Sequence, residues 1–174
     1  MNSLRTLTYF DIYEKHAAFN GASCAVHFNG TDISFSQLYS QTARFASGLK
    51  TFNLAKGSRI AVLCKNHPVF FHLLGAASAL NLVLVLINRR LTPEEMAHIV
   101  SDTTPEILFC DAEMTDQAEE LRSSAPSIQE LVVVDNTDKT FASLYDHPAL
   151  TSPAAVSDDD PFIIIHTAAV LGKP

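Results

Sequence analysis

Cysteine is scarce in this 174-residue sequence, with single residues at positions 24, 64 and 110. The odd count and wide spacing argue against a disulfide framework or a zinc site. Cys64 and Cys110 each end an apolar run, which is typical of buried structural thiols in a reducing compartment.

Basic residues are also few: 12 Lys and Arg stand against 19 Asp and Glu, for a formal net charge of -7. An acidic chain repels phosphate backbones, so we expect no nucleic-acid partner. A polyphosphate ligand would need a local device, such as backbone amides or a helix N-terminus.

Long apolar segments are limited to one charge-free run at residues 69–87. Length alone would allow a membrane span. The run changes midway from helix-forming Leu and Ala to the strand-like residues 83–87, so we predict a helix and then a buried strand, with no transmembrane segment. The N-terminus lacks the apolar core of a secretory signal. We therefore expect a cytoplasmic protein.

Two sequence fingerprints, one catalytic and one for nucleotide binding, are missing. There is no Gly-x-Ser-x-Gly elbow, and no Gly-x-Gly-x-x-Gly fingerprint follows the apolar run that contains Val62. The second absence disfavours an unrelated Rossmann-like nucleotide domain.

The chain does contain alternating helix and strand patterns. Helical spacing covers residues 4–19, and two strand-like runs flank the turn signal Asn29-Gly30 as a β-hairpin, with Ser36 as N-cap of the next helix. Thr92, Pro93 and Glu95 form a helix start of the capping-box type. Further helices are predicted at residues 66–80 and 113–124, and continuous apolar strands at residues 59–64, 83–87, 107–110, 131–134 and 162–165.

This order predicts an α/β fold with a mostly parallel sheet flanked by helices and a small N-terminal β-hairpin. Residues 137–160 are predicted to be a looser connection, with Asp158, Asp159 and Asp160 as a solvated face. The last strand runs into a small-residue turn at residues 166–174. Such a turn can wrap phosphate oxygens with backbone N–H groups, although a plain connection is the commoner meaning of the same pattern.

Five segments, in order, resemble the adenylate-forming (AMP-binding) superfamily of acyl-CoA synthetases. Residues 33–38 resemble its "TYxEL" helix entry, and residues 56–63 its "kGDrVaiy" strand. Residues 66–70 resemble "NspeF", residues 88–95 resemble "NprltpeE", and residues 159–174 resemble the entry to its phosphate loop, "YTSGTTGxPKG".

The resemblance implies that residues 1–174 are the N-terminal portion of the AMP-binding domain, ending within the phosphate-loop motif. It implies ATP, Mg²⁺ and coenzyme A as cofactors of a longer parent, which would adenylate a carboxylic acid, a fatty or other apolar one, and transfer it to a thiol. The resemblance assigns phosphate binding to Thr167, Ala168, Ala169, Val170 and Gly172. It assigns no catalytic and no metal-binding residue to this stretch.

The loop departs from the family pattern. His166 replaces a common aromatic residue, Ala168 and Ala169 replace serine and glycine, and Val170 and Leu171 replace hydroxyl residues. A non-catalytic module that keeps the fold but has a degenerate loop is therefore the alternative. Asn81, where glycine is usual, is a smaller departure.

The family's later motifs are not among these residues, so we predict that the 174-residue chain alone forms no acyl-adenylate. We also expect self-association through apolar surface that the rest of the domain would cover. The sequence does not identify the acid.

Overall fold

The computed structural model describes residues 7–135 and 137–166. Elements are numbered along the chain. The helices are α1 (Tyr9–Asn20), α2 (Phe35–Leu49), α3 (Val69–Leu80), α4 (Pro93–Thr103), α5 (Thr115–Ser124) and α6 (Lys139–Ser143). The strands are β1 (Cys24–Phe28), β2 (Thr31–Ser34), β3 (Arg59–Leu63), β4 (Val83–Leu86), β5 (Ile107–Cys110), β6 (Glu130–Val133) and β7 (Ile163–Ile165), and two 3-10 turns cover Lys50–Phe52 and Ala112–Met114.

The chain divides into two compact units. The first contains residues 1–56, 67–81 and 143–160, and the second contains residues 57–66, 82–142 and 161–174. The first unit holds the hairpin and helices α1 to α3. The second holds the other five strands with α4 and α5.

The second unit is built on a five-stranded sheet with the order β6-β5-β3-β4-β7. All four neighbouring pairs are parallel. The predicted α/β class and the five predicted strands are therefore confirmed. Continuous apolar strands form here because both faces of the sheet are buried. Ala61, Leu63, Val85 and Leu108 share one core with α4 and α5. Alternate residues such as Ile60, Val62, Leu84 and Phe109 are equally buried on the opposite face.

The first unit packs the antiparallel hairpin β1-β2 and three helices. Phe10, Leu38, Phe45 and Leu73 are buried in it. Glycine permits one close approach, since a Cβ on Gly48 of α2 would lie 2.5 Å from the carbonyl oxygen of Leu144. The backbone around Leu144 therefore rests directly on α2.

Local capping moves two predicted boundaries. Helix α1 begins at Tyr9, because the Thr8 side chain and Asp11 form a capping box. Helix α2 begins at Phe35, and its N-cap is Ser34, so the assignment of Ser36 is wrong. Ser34 Oγ accepts from Gln37 N at 3.2 Å, and Gln37 Oε1 accepts from Ser34 N at 2.8 Å. The predicted Thr92–Glu95 box is confirmed.

The charge-free run at residues 69–87 forms a helix and then a strand, as predicted. Residues 69–80 form α3 and residues 83–86 form β4. Within the described part of the chain, no helix combines the length and apolar character needed to cross a membrane.

Candidate functional site

The residues predicted to bind phosphate lie outside the described part of the chain. Thr167, Ala168, Ala169, Val170 and Gly172 follow His166, the last described residue. Their role therefore stays a prediction. What the structure describes is the strand that leads to them and the sheet edge at which that strand ends.

Strand β7 pairs in parallel with β4, with Leu84, Val85 and Leu86 opposite Ile163, Ile164 and Ile165. In a parallel sheet the carboxyl ends of all strands meet at one edge, where α/β proteins usually bind ligands. His166 follows β7 at this edge.

His166 is largely buried, with its side chain 12% exposed. Its Nε2 lies 3.4 Å from Asp102 Oδ2 on α4. Within residues 7–135 and 137–166 its Nδ1 has no hydrogen-bond partner. The histidine therefore presents one satisfied and one unsatisfied ring nitrogen directly before the predicted loop.

Charged residues also follow strands at the same edge. Lys65 comes after β3, Arg89 after β4, and Asp111 and Glu113 after β5. The Glu113 carboxylate binds Lys65 Nζ and, at 3.2 Å, Arg89 Nη2. Its pKa is lowered by the Lys65 hydrogen bond and then by Arg89. Arg89 is thus bound to a neighbouring carboxylate, and Arg90 is exposed.

Asp111 links the residues that follow β3 and β5. Its Oδ2 accepts from Lys65 N at 2.7 Å, and its buried Oδ1 has no partner in the described ranges. Sequence reasoning did not single out Lys65, Asp111 or Glu113. The available signal was their position, since each stands one to three residues after a buried strand.

The cysteines at this edge are structural, as predicted. All three are free, and Cys64 and Cys110 are buried. Burial raises the pKa of both thiols, that of Cys110 to about 11. A protonated buried thiol is a poor nucleophile. Across the described residues, no three or more His, Cys, Asp and Glu side chains are grouped to hold a metal ion.

One sequence prediction needs correction. Asp158 and Asp159 are exposed, but Asp160 is not a solvated side chain, because its Oδ2 accepts from Ser157 N and Asn81 Nδ2 at 2.8 Å each and pairs with Lys56 Nζ at 2.9 Å. These bonds lower the pKa of Asp160 to about 2.

A parallel α/β sheet with polar side chains gathered at its carboxyl edge is typical of α/β proteins that bind a ligand at that edge. The comparisons with known proteins are more specific. The model of the family described as AMP-binding enzyme matches residues 13–174. The chain belongs to this family, and its fold matches part of the N-terminal domain of adenylate-forming ligases.

The relatives that the chain resembles are named as acid ligases. The chain is 29% identical to a fatty acid–[acyl-carrier-protein] ligase, ScoC, of Streptomyces coeruleorubidus, over 91% of the chain and 30% of that relative. It is 26% identical to an indoleacetate–CoA ligase of Aromatoleum aromaticum, over 92% of the chain and 32% of that relative. A solved structure from Rhodopseudomonas palustris, named after long-chain-fatty-acid CoA ligases, is 25% identical, with a TM-score of 0.87 over 95% of the chain and 43% of that structure. The chain thus spans about a third of the length of these two curated relatives.

Proposed function

We propose that this chain is the N-terminal part of an ATP-dependent acid–thiol ligase. A substrate carboxylate oxygen attacks the α-phosphorus of ATP, which releases pyrophosphate and leaves an acyl-adenylate. A thiol sulfur then attacks the acyl carbon and displaces AMP, giving a thioester. The supporting observation is that β7, which runs into the motif resembling the phosphate loop, is a parallel strand ending at the carboxyl edge of the sheet.

The contribution of this chain would be phosphate binding. Backbone N–H groups of Thr167, Ala168, Ala169, Val170 and Gly172 are the proposed donors to the β- and γ-phosphates, because small side chains let the backbone approach an anion. The family implies Mg²⁺ with the nucleotide. In residues 7–135 and 137–166, no three or more His, Cys, Asp and Glu side chains are grouped to hold the ion.

The acid is proposed to have a largely apolar body, since the two relatives are named for a fatty acid and for indoleacetate. Coenzyme A is the proposed thiol, and the acyl carrier protein in the first relative's name is the competing acceptor. The free cysteines fit a reducing compartment, and the cytoplasm is the proposed location.

The experiment is pyrophosphate exchange on two proteins. One is the 174-residue chain, and the other is a longer chain that includes everything encoded after Pro174. We expect acid-dependent exchange and thioester formation by the longer chain and none by the 174-residue chain. Exchange by the short chain would overturn the proposal that the downstream residues are needed.

A non-catalytic module is the second candidate, because Ala168, Val170 and Leu171 remove hydroxyls of the family loop and Ala169 replaces its glycine. If the longer chain is inactive with a panel of fatty and aryl acids but gains exchange on A168S/A169G substitution, this second function is supported. Activity without substitution eliminates it.

A further inference from the structure

Asp160 lies just before β7, and its carboxylate has several polar partners. One oxygen, Oδ2, receives the Ser157 backbone N–H, the Asn81 amide and the Lys56 ammonium, all within 2.8–2.9 Å. Its side chain is only one-fifth exposed, whereas that of Lys56 is mostly exposed. Hydrogen bonds to an ionised acceptor are stronger than neutral ones, so this oxygen is a firm anchor.

Asn81 is the buried hydrogen-bond donor to Asp160 Oδ2. It caps the C-terminus of α3 with φ 54°, in the left-handed region that glycine and asparagine tolerate best. It is only 4% exposed. Both amide hydrogens are used, since Nδ2 also donates to Ala155 O at 3.0 Å. Glycine would satisfy the backbone conformation without tethering residues 155–160.

Asp160 stands three residues before Ile163, the first residue of β7. Pro161, whose ring restricts φ, and Phe162 separate Asp160 from β7, and Leu84 N donates to Phe162 O at 2.9 Å. We propose that Asn81, Asp160 and Lys56 act as positioning residues that hold residues 155–160, so that β7 pairs with β4 in a defined register up to Ile165. The consequence for nucleotide binding rests on the proposed function.

The first test needs no activity. Amide hydrogen exchange is measured in the 174-residue chain with D160N, N81G and the matched control D159N. We expect D160N and N81G to speed exchange at Leu84 N–H, which faces β7, about 10-fold or more. Val83 N–H and Ile87 N–H donate to Ser58 O and Val62 O on the β3 side, so their exchange rates should stay unchanged in D160N and N81G. In D159N the exchange rates of all three amides should stay unchanged.

Unchanged exchange at Leu84 in both variants would overturn the proposal. Equal acceleration at Leu84, Val83 and Ile87 would also overturn it, because that pattern is a general loss of stability rather than loss of β7 positioning.

The second test uses the longer chain. D160N and N81G should raise KM for ATP about 10-fold with a smaller change in kcat, and D159N should leave both unchanged. A loss of kcat in D160N and N81G with an unchanged KM for ATP would contradict the proposed link to nucleotide binding. If the unsubstituted longer chain shows no pyrophosphate exchange, the proposed function fails. The amide hydrogen exchange measured at Leu84 still decides the positioning role.

Discussion

At the residue scale, His72 is a buried titratable group whose pKa is changed by folding. It is 5% exposed on α3 and shares a 2.7 Å hydrogen bond with Tyr145 Oη. Its Nε2 has no partner among the described residues. Burial, with a smaller effect of His67, lowers the pKa of His72 to about 4.

This shift predicts acid sensitivity. The unfolded chain binds a proton on His72 below about pH 6.5, whereas the folded chain does so only near pH 4, so stability is complete above pH 6.5 and falls as the pH drops toward 4. The full loss is about 3 kcal/mol. Urea unfolding between pH 7 and 4.5 should show a flatter pH dependence in H72Q. The exposed His16 provides the control, since H16Q should keep the wild-type slope.

Gly48 gives a second prediction at this scale. Alanine would place its Cβ 2.5 Å from Leu144 O and 2.7 Å from Leu144 Cα, both backbone atoms that a rotamer change cannot move. G48A should lower the free energy of unfolding by about 3 kcal/mol, despite the better helix propensity of alanine. Q41A, at an exposed site on the same helix, should change it by less than about 0.5 kcal/mol. A neutral G48A would show that the contact with Leu144 yields easily.

At the element scale, the start of α2 distinguishes two nearby serines. Ser34 exchanges two hydrogen bonds with Gln37, while Ser36 is exposed one residue inside the helix. S34A should destabilise the chain by about 1 kcal/mol in chemical unfolding. S36A should be within about 0.5 kcal/mol of the wild type. The reverse order would restore Ser36 as the cap.

A helix or strand could be predicted from the sequence when the residues that determine it lie within a few positions of one another. Thr92, Pro93 and Glu95 determine the start of α4 within four residues, so the pattern alone was sufficient. The start of α2 was misplaced because two serines suit the cap, and only Gln37, three residues after Ser34, chooses between them. Short helix α6 has one buried residue, Phe141, and its five residues offer too little period to detect.

At the scale of the whole molecule, Ile165 is the exposed apolar residue at the end of β7, with 64% of its surface accessible. In the described part of the sheet β7 pairs only with β4, so its other edge has no strand beside it. Unpaired apolar edges favour association. The 174-residue chain should therefore show concentration-dependent self-association in sedimentation experiments, reduced by I165K. A chain that stays monomeric at all concentrations would refute this.

The candidate site was only partly readable from the sequence. Strand β7 and its lead into the predicted loop followed from an apolar run and small residues. The set formed by Lys65, Arg89, Asp111 and Glu113 did not, because 24 to 48 residues separate the partners that bind one another.

What the sequence determined by itself is the five strands of the sheet and the longer helices, since hydrophobic period, caps and turn residues act over a few positions. Tertiary structure alone decided the strand order, the burial of His72 against Tyr145, and the bond between Asn81 and Asp160, which lie 79 residues apart. The physical reason is that a hydrogen bond or a buried contact depends on distance in space, and only the folded chain brings such distant residues together.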